Sequence, residues 1–445
     1  MTGGAAGTDA AGVDPRLLID QSPMRRPQIL LLLLCVLLMA IDGYDVLSIS
    51  FASPGIAREW HMEAASLGVL LSMELVGMGI GSVILGHLAD RIGRRPTALL
   101  CLIVMASGMW MAVFAMNAVM LGLFRLYTGF GIGGILACAN AIATEISNAR
   151  SKSLAVALMA SGYPVGAILG GPVAAMLMAD GHWRHVFILG AVVSTLLVPV
   201  TWWFLPETVS FAFRSGKEDR LERINRALGR LGHAAIGKAA PLVEESRASH
   251  LSELFRDGQL RITLLLAAAY FLHVMTNYFI LKWVPKITID MGFPAEFGVT
   301  MLVWVNVGGV AGSFLLSFLS LRMDVRHLVF AAMLSTTVML TVFGFVPRER
   351  VALLSVVAVL GFCSSAAVVG LYPIIARSYP SALRATGAGT IVGFGRIGSA
   401  IGPVVAGILF SLSFGISGVA VAMSMGSLFA AIALTRLFGM RFDMR

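Results

Sequence analysis

The sequence predicts an all-α integral membrane protein of twelve transmembrane helices in two pseudo-symmetric six-helix halves. Three observations carry this prediction. Of the 445 residues, 58% are hydrophobic and only 13% charged, and the mean hydropathy of +0.86 lies far outside the soluble globular range. Apolar runs of about twenty residues, enough to cross a hydrocarbon core of about 30 Å, recur along the whole chain. A charged connection near the middle separates two halves that echo each other. A closed β-barrel would show short alternating strands instead.

The twelve runs lie near 28–53, 66–86, 97–115, 120–144, 154–178, 184–205, 262–284, 298–320, 327–346, 350–376, 387–410 and 414–438. A polar Gly/Ala tail, 1–27, precedes them, and the first run is long enough to span rather than to act as a cleavable leader. The first half is then 28–205. The connection 206–261 carries ten basic and eight acidic residues, and its stretch KEDRLERINRALGRLG is patterned as a surface helix. The second half is 262–438, with a short tail at 439–445. Cys35, Cys101, Cys138 and Cys363 fall inside runs without metal-type spacing and read as buried small side chains.

Basic residues orient the chain, because Lys and Arg are retained on the cytoplasmic side. With the N-terminus inside, 25 of the 33 Lys and Arg fall in cytoplasmic segments. Six are expected in outer loops, namely Arg58, Arg184, Lys282, Lys286, Arg348 and Arg350, and two, Arg125 and Arg396, inside spans. Both termini are expected in the cytoplasm of a bacterial cell, with the chain crossing the inner membrane many times. The net charge of +9 then reflects topology, and no nucleic-acid partner is implied.

An internal repeat supports the division into halves. One constant shift lays GHLADRIGRR (86–95) on SFLSLRMDVR (317–326), so that Leu88, Arg91 and Arg95 meet Leu319, Arg322 and Arg326. The same shift lays GYPVGAILGGPV (162–173) on GFGRIGSAIGPV (393–404). Paired membrane repeats are the usual build of secondary transporters, with the binding site near the midplane between them. The glycines of RLYTGFGIGG (125–134) and GYPVGAILGG (162–171) line one side of a helix and let backbones approach and slide.

Five charges are expected well inside spans: Asp42, Asp45, Glu74, Arg125 and Arg396. Each costs roughly 2.5 to 3.5 kcal/mol at a helix centre if unpaired, so they are expected to pair and to face a wet cavity. Asp42 and Asp45, three residues apart, share a helical face. Two carboxyl groups this close in a low dielectric titrate as a coupled pair that can hold or release a proton near neutral pH. The alternative for either is an ion pair that only braces the bundle. Arg396 is too deep to snorkel and offers a planar fork suited to a carboxylate, as binder or as structural partner. Glu74 is either a second proton carrier or an arginine's partner. His273, the repeat counterpart of Asp42, is either functional or a satisfied packing residue. Tyr44, Asn277, Tyr278, Tyr372 and Phe394 sit in spans that would border a central cavity, and such groups suit a planar ring, although each alone also reads as packing. Glu145 ends the fourth span as a gating group or a solvated one.

GHLADRIGRRP (86–96) resembles the signature loop of the major facilitator superfamily, with Gly86, Asp90, Arg91, Gly93, Arg94 and Arg95 matching its pattern. The resemblance implies the major facilitator fold and an electrostatic latch, in which Asp90 sits against a neighbouring helix N-terminus or arginine. The counterpart of Asp90 in the second half is Leu321. Within that superfamily DGYD (42–45), GHWRHVF (181–187), KWVPKITIDMGF (282–293), YPSALRATG (379–387, with Arg384) and GRIGSAIGPVVAG (395–407) together resemble the aromatic acid:proton symporter family. Arg125 resembles the superfamily's proton-coupling arginine, with a structural role as the alternative.

The resemblance implies import of a benzoate- or hydroxybenzoate-like acid together with protons, driven by the proton gradient, with no cofactor, no metal and no enzymatic activity. A single copy in the lipid bilayer is expected to suffice. An anion entering against a negative interior loses roughly 2.3 kcal/mol per 100 mV, and one accompanying proton cancels that loss. In the expected cycle Arg396 or Arg125 pairs with the DGYD carboxylates in the empty, outward-open state. The substrate carboxylate displaces that pairing, a proton binds, and the neutralised halves rock. The rivals are a symporter for a sugar or an aliphatic acid, since LPETVSFAF (205–213) faintly resembles a sugar-porter segment, and a receptor that binds the acid without moving it.

Overall fold

The computed structural model describes residues 12–178, 180–214, 219–241, 253–254, 259–380 and 383–438. They form α1 (Pro15–Gln21), α2 (Arg26–Glu59), α3 (Ala64–Ile92), α4 (Arg94–Val113), α5 (Ala118–Glu145), α6 (Lys152–Met178), α7 (Arg184–Phe204), α8 (Val209–Arg214), α9 (Arg220–Arg230), α10 (Gln259–Asp290), α11 (Ala295–Leu319), α12 (Val325–Phe345), α13 (Arg350–Arg377), α14 (Arg384–Ser411) and α15 (Gly415–Phe438). Among the described residues, twelve helices are long and apolar enough to cross a membrane: α2 to α7 and α10 to α15. In hydrocarbon each backbone N–H and C=O must be satisfied within the segment, which is why continuous apolar runs become helices.

Capping residues set several starts. Asp14 accepts from the Arg16 backbone N–H at 2.9 Å with Pro15 at the first turn, Asn117 accepts from Met120 at 2.9 Å, and Asp324 from Arg326 at 2.9 Å. Gln28 reaches back to the Arg25 N–H at 2.7 Å and starts α2.

The repeat extends to every spanning helix. Starts at Ala64, Arg94 and Arg184 recur at Ala295, Val325 and Gly415, the same offset that aligns the two sequence motifs. The packing repeats as well: α2 lies on α6 as α10 lies on α14, and α3 on α5 as α11 on α13. Between the halves α3 packs on α14, α6 on α11 and α2 on α10.

Lipid tails are as apolar as leucine, so close contact of small residues holds the helices together. The glycine stretches do this on α5 and α6: a Cβ on Gly129 would lie 2.0 Å from the Glu74 carbonyl oxygen, and one on Gly166 only 1.7 Å from that of Ala40.

The connections differ from the sequence reading in two places. Residues 86–92 are the last turns of α3, and Gly93 alone, at φ +111°, separates them from α4, so the signature "loop" is a single residue. The seventh span runs Gln259–Asp290 instead of 262–284, so Lys282, expected in an outer loop, lies well inside the helix. The charged stretch after α7 does supply a helix, α9, with Ile224, Ala227 and Leu228 buried. It sits with α8 and the N-terminal segment beside the first half, tied by the Asp20–Lys152 ion pair at 3.1 Å and by Asn148 donating to the Ser22 carbonyl at 3.0 Å. The tail 439–445, most of 242–258, and Ser381 and Ala382 lie outside the described residues. The four cysteines are free and buried.

Candidate functional site

α2 carries its two aspartates at the level where both halves meet, and both are enclosed: Asp42 is 1% exposed and Asp45 0%. Their surroundings differ. Asp45 is held by Arg125 of α5, whose Nη1 donates to its Oδ1 at 2.9 Å and whose Nη2 donates to its backbone oxygen at 2.9 Å. The same Nη2 contacts Glu74 Oε1 on α3. Nη1 also lies 3.1 Å from the Met109 sulfur, and the guanidinium stands 5.5 Å from the centre of the Phe187 ring. Arg125 is therefore clamped by α2, α3, α4 and α7, all of the first half.

The other oxygen of Glu74 belongs to a residue of the second half. Lys282 Nζ of α10 lies 3.3 Å from Glu74 Oε2 and donates to the Val46 carbonyl of α2. Its side chain is fully buried. Two carboxylates and two cations thus neutralise one another in a place where any one alone would be costly.

Asp42 faces the other way, into a cavity of about 430 Å³ between the halves. Its Oδ1 is enclosed without a hydrogen-bond partner among the described residues, as is the Tyr163 hydroxyl on α6. Arg396 of α14 lines the same cavity, within electrostatic reach of Asp42, and makes no ion pair among the described residues. Tyr270, Asn277 and Tyr278 of α10 and Tyr372 of α13 complete this wall. The hydroxyls of Tyr270 and Tyr372 are 3.1 Å apart, and Asn277 Oδ1 accepts from Ser364 at 2.7 Å. A cationic fork, an unpartnered carboxyl group and a set of aromatic walls can take a flat anion and a proton into one space.

The cavity is bordered by the halves of the helices nearest the face that carries α1 and α9, from Ala157 and Ser161 of α6 to Ser313 and Ser317 of α11. The opposite side is shut. There Ala65 N–H donates to Ser411 Oγ at 3.0 Å, and a Cβ on Gly68 would lie 2.5 Å from the Pro403 carbonyl oxygen. One apolar core runs from the first half into Met301, Leu302 and Val305 of the second on this shut side.

The expected site residues therefore separate. Asp42, Arg396, Asn277, Tyr278 and Tyr372 come together at the cavity, while Asp45, Glu74 and Arg125 form the buried cluster beside it. Three expected contacts lie elsewhere. Tyr44 is buried and donates to the Val186 carbonyl at 2.8 Å. His273 is saturated, with Nδ1 2.9 Å from Ser427 Oγ and Nε2 3.0 Å from the Ser364 carbonyl. Phe394 is 44% exposed and off the cavity wall. Of the two arginines offered to the DGYD carboxylates, Arg125 takes Asp45, and Arg396 makes no ion pair with Asp42.

At the signature segment Arg94 is buried, 3.1 Å from both Asp90 and Glu145. Asp90 is largely exposed and meets this arginine of its own motif, not the second half. Glu207, after α7, accepts from the backbone N–H groups of Arg94 at 3.0 Å and Arg95 at 3.5 Å, capping α4. A Cβ on Gly93 would fall 2.1 Å from that carboxylate, so the positive φ and the absence of a side chain serve one contact. Arg95 donates to the Trp202 carbonyl at 2.7 Å, and Arg91 and Arg384 are exposed. Gly86 lies within α3.

Lys282, Tyr163 and Tyr270 escaped the sequence reading. Lys282 had a signal: the repeat offset pairs it with Phe51, which lies inside the first apolar run, so the register alone puts it within a span.

Two related six-helix halves closing around a charge-lined cavity define a membrane solute transporter, not an enzyme. The family model of the Major Facilitator Superfamily matches residues 32–320, and the chain belongs to that superfamily. It is 28% identical over 431 residues to a gallate transporter of Pseudomonas putida, covering 95% of each chain. It is 26% identical over 438 residues to the 4-hydroxybenzoate transporter PcaK of Acinetobacter baylyi, covering 96% of this chain and 94% of that one. An inward-open structure of the xylose transporter XylE from E. coli shares the fold, with a TM-score of 0.72 at 14% identity over 94% of this chain and 98% of that one.

Proposed function

We propose that this chain imports an aromatic carboxylate, of the benzoate or hydroxybenzoate kind, together with a proton across the bacterial inner membrane by alternating access, with both termini in the cytoplasm. The observation that carries the reading is the meeting, in one cavity, of an arginine that makes no ion pair among the described residues with a carboxyl oxygen that has no hydrogen-bond partner among them: Arg396 and Asp42. The arginine holds the substrate carboxylate, the tyrosine-rich wall takes the ring, and Asp42 takes the proton that cancels the anion's charge. The names of the curated relatives, gallate and 4-hydroxybenzoate transporters, support the substrate class. A cavity bordered by the face that carries α1 and α9, with the other face shut, supports an inward-facing member of the cycle.

The test is uptake of labelled 4-hydroxybenzoate and of gallate into proteoliposomes holding only this chain, with and without an inward proton gradient, against xylose as a control. Gradient-stimulated uptake of the acids alone is expected, and Asp42→Asn is expected to lose the stimulation. Uptake by Asp42→Asn that a pH gradient still drives normally removes the proton role from Asp42.

A further inference from the structure

We propose that Lys282 is a tethered cation that takes the place of the coupling proton on Glu74 when the face away from the termini closes. The inference rests on the proposed proton-coupled cycle and adds a residue and a stoichiometry to it.

Within the first half, Arg125 is shared by Asp45 and Glu74. Two carboxylates against one guanidinium leave a net negative charge in a closed, low-dielectric space, and one bound proton removes it. Lys282 supplies the same positive charge from the other half, at 3.3 Å from Glu74 Oε2, and also takes up the Val46 carbonyl. All four side chains are fully buried, so no solvent stands in for either cation. Lys282 alone in this cluster belongs to the second half, and it docks beside the shut face, where Ala65 meets Ser411 and Gly68 meets Pro403. When the halves part on that face, Lys282 must withdraw from Glu74 and Val46.

The two states then balance. With the outer face open, Lys282 is withdrawn and the Asp45–Glu74–Arg125 group carries one proton. As the face closes, the ammonium arrives and that one proton passes from the carboxyl group to Asp42, one turn along α2 on the cavity side, and from there to water on the inner side. Lys282 keeps all its own protons. Each cycle moves one proton.

The groups facing Glu74 are few. α2 brings Asp45 and Asp42, α5 Arg125, α10 Lys282 and the Tyr278 hydroxyl, and α6 the Tyr163 hydroxyl, while Arg396 of α14 acts on Asp42 from the cavity side. α4 contributes the untitratable Met109 sulfur through Arg125. Of these, Arg125 stays with Glu74 in the first half, and Lys282 is the cation of the second half that pairs with Glu74 and must leave it when the halves part on this face; Arg396, also of the second half, lines the cavity and makes no ion pair with Glu74 among the described residues.

The test uses spin labels at Glu63 and Leu412, exposed positions at the shut face, in the full chain in nanodiscs, with the distance distribution followed against pH. The wild type is expected to shift from the short to the long distance as pH falls. Lys282→Gln is expected to lose that pH dependence, and Lys282→Arg, which keeps the charge, to retain it. In proteoliposomes the stimulation of 4-hydroxybenzoate uptake by a one-unit pH gradient, about tenfold for one coupled proton, is expected to fall toward none in Lys282→Gln and to return in Lys282→Arg. The proposal is overturned if Lys282→Gln titrates like the wild type, or if Lys282→Arg behaves as Lys282→Gln does. Should the wild type transport none of the acids, the proposed function fails, while the spin-label titration still decides the role of Lys282.

Discussion

Lys282 on α10 and Glu74 on α3 meet at 3.3 Å across the interface between the two halves, with neither side chain touching solvent. Their repeat counterparts, Phe51 and Val305, are apolar. The two halves keep the same helices and the same packing, yet the first contributes Asp42, Asp45, Glu74 and Arg125 and the second Lys282 and Arg396. The site is thus three acids against three bases, with the acids all on one half. In the proposed cycle, rocking one half on the other would change which base stands near which acid, and that would link movement to a proton.

Arg396 is expected to govern affinity. A charge-assisted hydrogen bond to a carboxylate contributes about 1.5–3 kcal/mol, so Arg396→Ala should weaken 4-hydroxybenzoate binding roughly ten- to a hundredfold. Arg396→Lys keeps the charge but loses the two-pronged geometry and should fall between. Isothermal titration of the purified protein measures both, and unchanged affinity in the alanine variant takes Arg396 out of the site.

Arg125 is expected to govern stability. Removing one partner of a buried ion pair costs about 3–5 kcal/mol because the other charge stays behind, and Arg125→Ala strands Asp45 and Glu74 together. A large fall in the melting temperature in detergent is expected. Arg125→Lys should recover only part, since one ammonium cannot serve Asp45 Oδ1, the Asp45 carbonyl and Glu74 at once. A melting curve for Arg125→Ala that overlays the wild type means the cluster holds nothing together.

How far the sequence foretold this arrangement depends on which signal a residue left. Continuous apolar runs located all twelve spans, and the offset pairing Leu88 with Leu319 recurs in the helix starts. Hydropathy averages over a window, so the seventh run stops at 284, and the count of basic residues places Lys282, two residues from that end, in an outer loop. The helix runs on through Pro285 and Lys286 to Asp290, and the lysine is affordable inside because Glu74 answers it. That answer is a long-range contact with no local trace. Tyr163 sat unnoticed in a stretch read for its glycines, and His273, marked by its symmetry with Asp42, is used up by Ser427 and the Ser364 carbonyl. The position of a charge within a span was legible, but its partner was not.

Glu207 offers a pH test outside the spans. Burial raises its carboxyl group above the ordinary 4.5, against the backbone N–H groups of Thr208, Arg94 and Arg95 and the Arg94 charge, which lower it. An acid raised in the folded state binds more protons folded than unfolded, so its contribution to stability is full below the ordinary value and is lost as pH rises through the raised one. Wild type should therefore lose melting temperature relative to Glu207→Gln as pH rises from about 4 to about 7. The glutamine oxygen can still accept from α4, so the cap itself survives. A difference between the two that stays constant with pH rejects the assignment.

The contact of α2 with α6 sets where Asp42 and Tyr163 stand, and Gly43 and Gly166 are two of the glycines that make it. A Cβ on Gly166 would come within 1.7 Å of the Ala40 carbonyl oxygen, and one on Gly43 within 2.0 Å of the Tyr163 carbonyl oxygen. Both obstacles are backbone, so neither can rotate away, and the helices must separate. Overpacking of this kind costs about 1–3 kcal/mol or more, and here it also moves Asp42, next in sequence to Gly43, away from the α6 wall. Gly166→Ala and Gly43→Ala are each expected to lower the yield of monodisperse protein on size exclusion. Whatever folds should bind 4-hydroxybenzoate more weakly, although neither glycine has a side chain to touch it. Gly389, with open space around its missing Cβ, is the control: Gly389→Ala should leave yield and melting temperature at the wild-type level. If Gly166→Ala matches that control in both yield and affinity, the close approach of α2 and α6 is not what positions the cavity wall.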